Sequence, residues 1–390
     1  MRKTTDSRRG KLVLMTSHCA GMLDMVALPL WVGTLVTAYA LDAQRAGGLV
    51  TLFLLGAVAA SLFFAPRFHR VDGRVAATAG FALSAACFFA AAQTQRFELL
   101  AALHLGGGLA AGAGLSFTHG TIGRSTNPHR LFGRAGMALG VFAVLLLGST
   151  PQLIARSGGA ALFQVLGIAL AIAAVLAAWG FPKPDAESAT ARGLRESGQK
   201  LPPRVWFGAL GVGAMALVQA MVYSFVERMG ADRGFGVAAV TAILVAIGIV
   251  NMFPSGIAAL LERRIGAAAV LRSGPLVQAA LAVVIATSQA LAPFALAASV
   301  FVAVMLFTHT FAFGALARLD LSGRILAATP AMVMIGSAIG PLLGGTLIKL
   351  AGYGAIGVAA VAIDALALLC FWRMTRAAGH AGVARVGPVL

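Results

Sequence analysis

Charge is what this sequence has least of. Of its 390 residues only 11% are Asp, Glu, Lys or Arg, and just 13 are acidic. A soluble domain carries about 25% charged and about 45–50% apolar residues, whereas the AVILMFWYC set here reaches 59%. So little charge cannot wrap a core in a polar shell, so much of the outer surface must face lipid. Cysteine is equally sparse. Cys19, Cys87 and Cys370 all sit in apolar runs and form no CxxC pair, which excludes a disulfide framework and a zinc site and leaves small buried hydrophobes. Also missing are HExxH, GxSxG and GxxxxGK[ST]. Gly193 to Lys200 sets a glycine pair before a lysine but lacks the following Ser or Thr. No enzyme, nucleotide-driven pump, metal or cofactor is therefore expected.

Basic residues outnumber acidic ones, giving a formal charge of +17. Such an excess fits nucleic-acid binding only when it gathers on one surface. Here Lys and Arg fall in short clusters between apolar runs, the pattern by which membrane proteins hold their cytoplasmic loops, so no nucleic-acid partner is expected. A helix needs about 20 apolar residues to cross the hydrocarbon. Runs of that kind lie near 12–40, 46–66, 75–94, 97–121, 133–155 and 159–181, then 205–227, 236–260, 267–288, 291–316, 326–350 and 353–374. The basic stretch Met1–Lys11 precedes a run longer than a signal-peptide core, with no A-x-A site after it, and reads as a retained first helix. With the N-terminus cytoplasmic, 24 of the 30 basic residues fall inside, leaving Arg45, Arg96, Arg156, Arg228, Arg233 and Lys349 outside. That asymmetry predicts a multi-pass inner-membrane protein with both termini cytoplasmic. Its units are a six-helix bundle over 1–181, a cytoplasmic linker over 182–204 and a second bundle over 205–390.

The halves repeat. Phe117-Thr118-His119 recurs as Phe307-Thr308-His309, and in the same register Gly133-Arg134 matches Gly323-Arg324 and Pro151 matches Pro341. Gly73 and Gly266 close the loops after the second and eighth spans. Parallel repeats of this kind occur in transporters whose two bundles rock about a central site.

Six plus six helices, a polar centre and parallel halves resemble the major facilitator superfamily over essentially the whole chain. The loop Arg67-Phe68-His69-Arg70-Val71-Asp72-Gly73-Arg74 is similar to that family's basic Asp/Gly/Arg signature, with the acid beside the glycine rather than several positions earlier. The resemblance implies that Arg70, Asp72, Gly73 and Arg74 make charge–dipole contacts stabilising one conformation. The equivalent second-half loop reads Glu262-Arg263-Arg264-Ile265-Gly266. Gly336 to Gly345 matches the GxxxGPxxGG pattern of family antiporters, but in the eleventh span instead of the fifth. Close helix packing with a proline-set bend explains that motif without any statement about direction. The implied fold is all-α: twelve transmembrane helices in two pseudo-symmetric bundles, with the first, fourth, seventh and tenth spans around a cavity.

Polar groups at mid-membrane are costly and mark pathways, partners or relays. Asp24, amid Gly21, Met22, Leu23 and Met25, is the first candidate. A carboxylate in such a place can exchange a proton near neutral pH, which suits proton coupling; a structural hydrogen bond is the plainer alternative. His119 and His309 occupy matching sites on the fourth and tenth spans, and two imidazoles facing each other could relay protons or bind an anion. Inherited packing would place them equally well. Substrate contacts are expected from Gln219 and Tyr223, four residues apart on one helix face, from His104, about where many family members carry an arginine, and from His18. His18 lies about 240° around an ideal helix from Asp24, on a different face. Gln152, Gln164, Asn251 and Gln278 suit helix–helix bonds, and Asp364 a structural role. The expected function is a secondary transporter, a monomer in the lipid bilayer, moving a small organic solute with protons by alternating access. A multidrug/proton antiporter and a transporter-like sensor are the alternatives.

Overall fold

The apolar runs fold as helices because lipid offers no partner for a backbone amide, so each span must satisfy its own. A computed structural model describes residues 5–68, 70–184, 202–262, 264–319 and 324–376. Twelve helices among them are long and apolar enough to cross a bilayer. The first six are Arg8–Thr37, Ala43–Phe64, Gly73–Ala91, Phe97–Gly123, Arg130–Ser157 and Ala160–Gly180. The second six are Pro203–Asp232, Val237–Ala258, Ala267–Thr287, Leu291–Leu319, Ala331–Ala351 and Tyr353–Arg376. They form two six-helix bundles. Most of the expected linker lies outside the described residues, as do His69, Arg263, Gly323 and the tail beyond Arg376. The face holding the N-terminal residues and the start of the seventh span is here the near face; the loops after odd-numbered spans lie on the far face.

Three spans break. The first divides into Arg8–Gly21 and Leu23–Thr37 at Met22, whose φ of −106° and ψ of 13° leave the helical region. Pro29 then removes an amide that would bond to the Met25 carbonyl. The seventh divides into Pro203–Tyr223 and Val226–Asp232. The eighth divides into Val237–Val250 and Pro254–Leu261, restarting on a proline that needs no partner.

Small residues set how closely the helices approach. In the first bundle, a Cβ on Gly56 of the second span would stand 2.6 Å from the Leu105 carbonyl oxygen of the fourth. The glycine-rich motif of the eleventh span works on two sides. Gly336, Gly340 and Gly344 rest on the seventh span, where a Cβ at Gly340 would come 2.7 Å from the Met221 amide nitrogen. Gly345 and Pro341 instead meet the second span of the other bundle. A side chain at Gly345 would run into the Ala43 carbonyl, and one at Gly47 into the carbonyl of Pro341. The motif is thus a packing device for one bundle and a joint to the other.

That joint lies toward the far face. The Leu342 amide, which follows Pro341, donates to Thr51 Oγ1 at 3.1 Å. Gln44 Nε2 donates to Thr346 Oγ1 at 3.3 Å. Lys349 Nζ donates to Asp42 Oδ2 at 3.0 Å and to Gln44 Oε1 at 3.3 Å. The fifth and eighth spans touch where Gly248 faces Val144. Among the described residues, every hydrogen bond between the bundles lies from mid-span to the far face.

The exposed Asp42–Lys349 pair has a definite pH sign. The Arg45 amide holds the Asp42 carboxyl below its ordinary value, against an opposing effect of burial and with lesser help from Lys349. A group with a lowered value stabilises the closed pairing above the ordinary carboxylate range and loses that contribution only as pH falls through the lowered value. Lys349→Met is therefore expected to weaken the joint evenly between about pH 5 and about pH 8, with no change in pH profile; thermal unfolding across that range in detergent tests it.

Candidate functional site

The break at Met22 makes Asp24 the second residue of a new helix, inside the protein and 3% exposed. Its Oδ1 accepts the Met25 amide at 2.9 Å. A helix start favours a negative charge by about 0.3–1 kcal/mol, whereas burying an unpaired ion costs several. Among the described residues no basic group pairs with Asp24. The two effects oppose one another at a carboxylate with no counter-charge.

Tyr223 brings the other bundle to this point. Its hydroxyl donates to the Val26 carbonyl at 3.2 Å, two residues beyond Asp24. Gln219, one turn earlier on the seventh span, is 5% exposed and Tyr223 is 3% exposed. Both lie in the helix Pro203–Tyr223, and Tyr223 ties the first span to the seventh.

The histidines are arranged differently from the sequence expectation. His119 does not face His309. Its Nε2 lies 2.9 Å from His18 Nδ1, joining the fourth span to the first within one bundle, and Phe132 packs on its ring at 5.5 Å. Two ring nitrogens at that distance share one proton, so one imidazole donates and the other accepts. His309 bonds back to the Met305 carbonyl at 3.1 Å and packs on Phe313 at 4.8 Å. In the register of the repeat, the seventh-span position matching His18 is Gly208. His309 has no matching ring to meet.

His104 lies within the first bundle. It is 1% exposed, and both ring nitrogens are engaged. Nδ1 donates to the Leu100 carbonyl at 2.7 Å, and Nε2 accepts from Trp31 Nε1 at 3.1 Å. Trp31, Phe88 and Phe163 surround the ring. A buried tryptophan needs an acceptor for its N–H, and His104 supplies it inside the bundle, away from the joint. Trp31→Phe is expected to destabilise the protein by about 1–3 kcal/mol by leaving that pairing unmade, measured by thermal unfolding in detergent.

The loop after the second span anchors its own bundle. Asp72 caps the third span through the Arg74 amide at 2.8 Å. The Arg74 guanidinium donates to the Ala178 carbonyl, and Arg9 donates to the Trp179 carbonyl at 2.8 Å while stacking over its ring. Two cations thus sit on the C-terminal end of the sixth span, where the helix dipole favours them. Gly73 begins the third span and Arg70 is exposed. In the second half, Arg318 lies 3.7 Å from Glu262.

Glu227 is a residue the sequence reading passed over. It lies at the far end of the seventh span, and its Oε2 is sealed from solvent with no hydrogen-bond partner. The carboxylate occupies the space a side chain at Gly33 would fill. The available signal was an acid closing an apolar run, which also marks an ordinary loop boundary. Asp364 is 2% exposed within the second bundle, and neither carboxylate oxygen has a partner.

A twelve-span membrane protein in two bundles, joined along one face, has the architecture of a secondary transporter. The chain belongs to the Major Facilitator Superfamily, whose family model matches residues 13–322. Its fold is similar to the crystal structure of a bacterial homologue of the human lysosomal transporter Spinster, inward-facing and unoccupied, with a TM-score of 0.67. That likeness covers 95% of each chain at 14% identity, and so bears on the fold. No curated protein matches the sequence.

Proposed function

We propose that this transporter is proton-coupled and moves a small organic solute across the inner membrane by alternating access. The near face is cytoplasmic in this reading, because the sequence pattern assigns 24 of the 30 basic residues to the cytoplasmic side, together with both termini. The protein works as a monomer of two bundles, 1–181 and 205–390, joined by the cytoplasmic linker 182–204.

The observation that carries this reading is Asp24. It is a buried acid without a counter-charge, at a helix break and beside the Tyr223 tie between bundles. Separating the bundles there breaks the tie and opens Asp24 to water, where it ionises. Rejoining them requires a proton on the carboxylate. Gln219 and Tyr223, released together, then offer hydrogen-bonding groups to a solute. The His18–His119 pair lies in the same bundle and accepts a second proton if Asp24 releases one toward the near face. His309 remains a contact on the tenth span, and the Arg70, Asp72, Gly73 and Arg74 loop holds the first bundle rigid as it moves. His104 is left out of the substrate contacts by its two internal hydrogen bonds.

The test is proton movement in proteoliposomes on addition of organic acids, amino acids, sugars or cationic drugs. A substrate-dependent flux supports coupling, and its sign separates symport from antiport. Solute flux without proton movement would sink the reading.

A further inference from the structure

Asp24 accounts for one proton site, yet a second acid sits in the same seam nearer the far face. Glu227 opens the short helix Val226–Asp232 and packs on the second half of the first span. Its Oε2 lies against the backbone at Gly33, where the absence of a side chain leaves room for it. The oxygen is sealed from solvent, although the residue as a whole retains some exposure. Among the described residues no hydrogen bond or ion pair reaches this carboxylate.

The cations near it are committed to other partners, and none pairs with it. On its own helix, Arg228 is bound to Asp232 at 2.5 Å, and Asp232 also accepts the Tyr353 hydroxyl at 2.5 Å. The facing helix Leu23–Thr37 carries Asp24 as its one charged residue, nine positions from Gly33 and so about 13 Å away along the axis. The eighth span's Val237–Val250, which also packs against it, has none. Arg233, just beyond, is held by the Ile285 and Ala286 carbonyls at 2.7 and 2.6 Å. An ionised carboxylate pressed on a glycine backbone and paired with no cation would be a buried unpaired charge, which is strongly unfavourable.

We propose that Glu227 is a second proton-binding site, reached from the far-side solution, and that it must be protonated for the far-side seam to close. On closure one proton leaves the outer water for Glu227 and the neutral carboxyl seats on Gly33. On opening, water reaches the carboxyl, the proton departs and the charge resists reclosure. The exposed Asp42–Lys349 pair cannot supply this response, because its contribution is lost only below the ordinary carboxylate range. The inference rests on the alternating-access reading above but not on the coupling role of Asp24.

The experiment uses the full chain in nanodiscs, with Cys19, Cys87 and Cys370 replaced by Ser and spin labels at Gln95 and Gln289. Both positions are exposed on the far-side ends of the two bundles. Distances measured at about pH 5 and about pH 8 report opening of the far side. The open-to-closed ratio should rise with pH by up to about tenfold per unit for each proton released on opening. Glu227→Gln, which keeps the side chain's shape, should shift the far side toward closed and remove the Glu227 part of the pH response, and Glu227→Leu should do the same. Gly33→Ala should displace the carboxyl and open the far side even at the lower pH. Asp24→Asn should keep the part of the response that Glu227 supplies, so a failure of Asp24 coupling registers in flux assays while that part of the distance change remains. A pH-insensitive wild type, or a Glu227→Gln protein that still responds like wild type, overturns the proposal.

Discussion

Asp24→Asn is expected to abolish accumulation of solute while leaving downhill exchange within a few-fold of wild type. One elementary charge crossing 100 mV releases about 2.3 kcal/mol, and each 1.4 kcal/mol is a factor of ten. A carrier moving one proton per neutral solute therefore holds a gradient of roughly 50-fold at that potential. Asparagine keeps the shape of the side chain and can still accept the Met25 amide, but it has no proton to exchange near neutral pH. The bundles can still close on it, because it is neutral in every state. The gradient should therefore fall to about one while the carrier still cycles. Counterflow of labelled solute, run beside accumulation in the same vesicles, checks both halves of the expectation. Loss of both activities would instead indicate a structural role for Asp24.

Gly345→Leu is expected to be as severe for a different reason. Position 345 faces the Ala43 backbone across the joint, and backbone cannot swing away as a side chain can. Overpacking a core by a few methylenes costs about 1–3 kcal/mol, and a leucine against a carbonyl lies at the upper end. A change of 3 kcal/mol shifts an equilibrium by on the order of 100-fold. The far-side joint would stay apart, transport would fall to background, and the open far side would dominate the same spin-label distances. Gly336 lies on the opposite side of the motif, against the Gly213 backbone of its own bundle. Leucine there should lower thermal stability instead of selecting one conformation.

Much of the architecture was legible in the sequence because apolar run length translates directly into a span. Runs near 97–121, 267–288 and 353–374 correspond to Phe97–Gly123, Ala267–Thr287 and Tyr353–Arg376. The breaks at Met22 and at Ser224 and Phe225 were not legible, since neither carries a proline or a polar cluster. The site was legible in part. Asp24 and Tyr223 stand out as polar groups in apolar helices, and the structure places them two residues apart across the seam. The partner of His119 was not legible. Its bond to His18 spans 101 residues, and the internal repeat pointed to His309, which has no histidine opposite it. Glu227 was missed because sequence marks an acid at the end of a run as loop, whereas its burial comes from the missing side chain of Gly33 on another helix.

The measurement that tests proton coupling most directly is the solute gradient at which net transport stops under an imposed pH difference. With the membrane potential clamped at zero and one proton moved per solute, each pH unit should be balanced by about a tenfold solute gradient. A balance point that follows the pH difference in this way is what the account predicts. Transport that stops at equal solute concentrations, whatever the pH difference, would contradict it and leave a facilitative carrier.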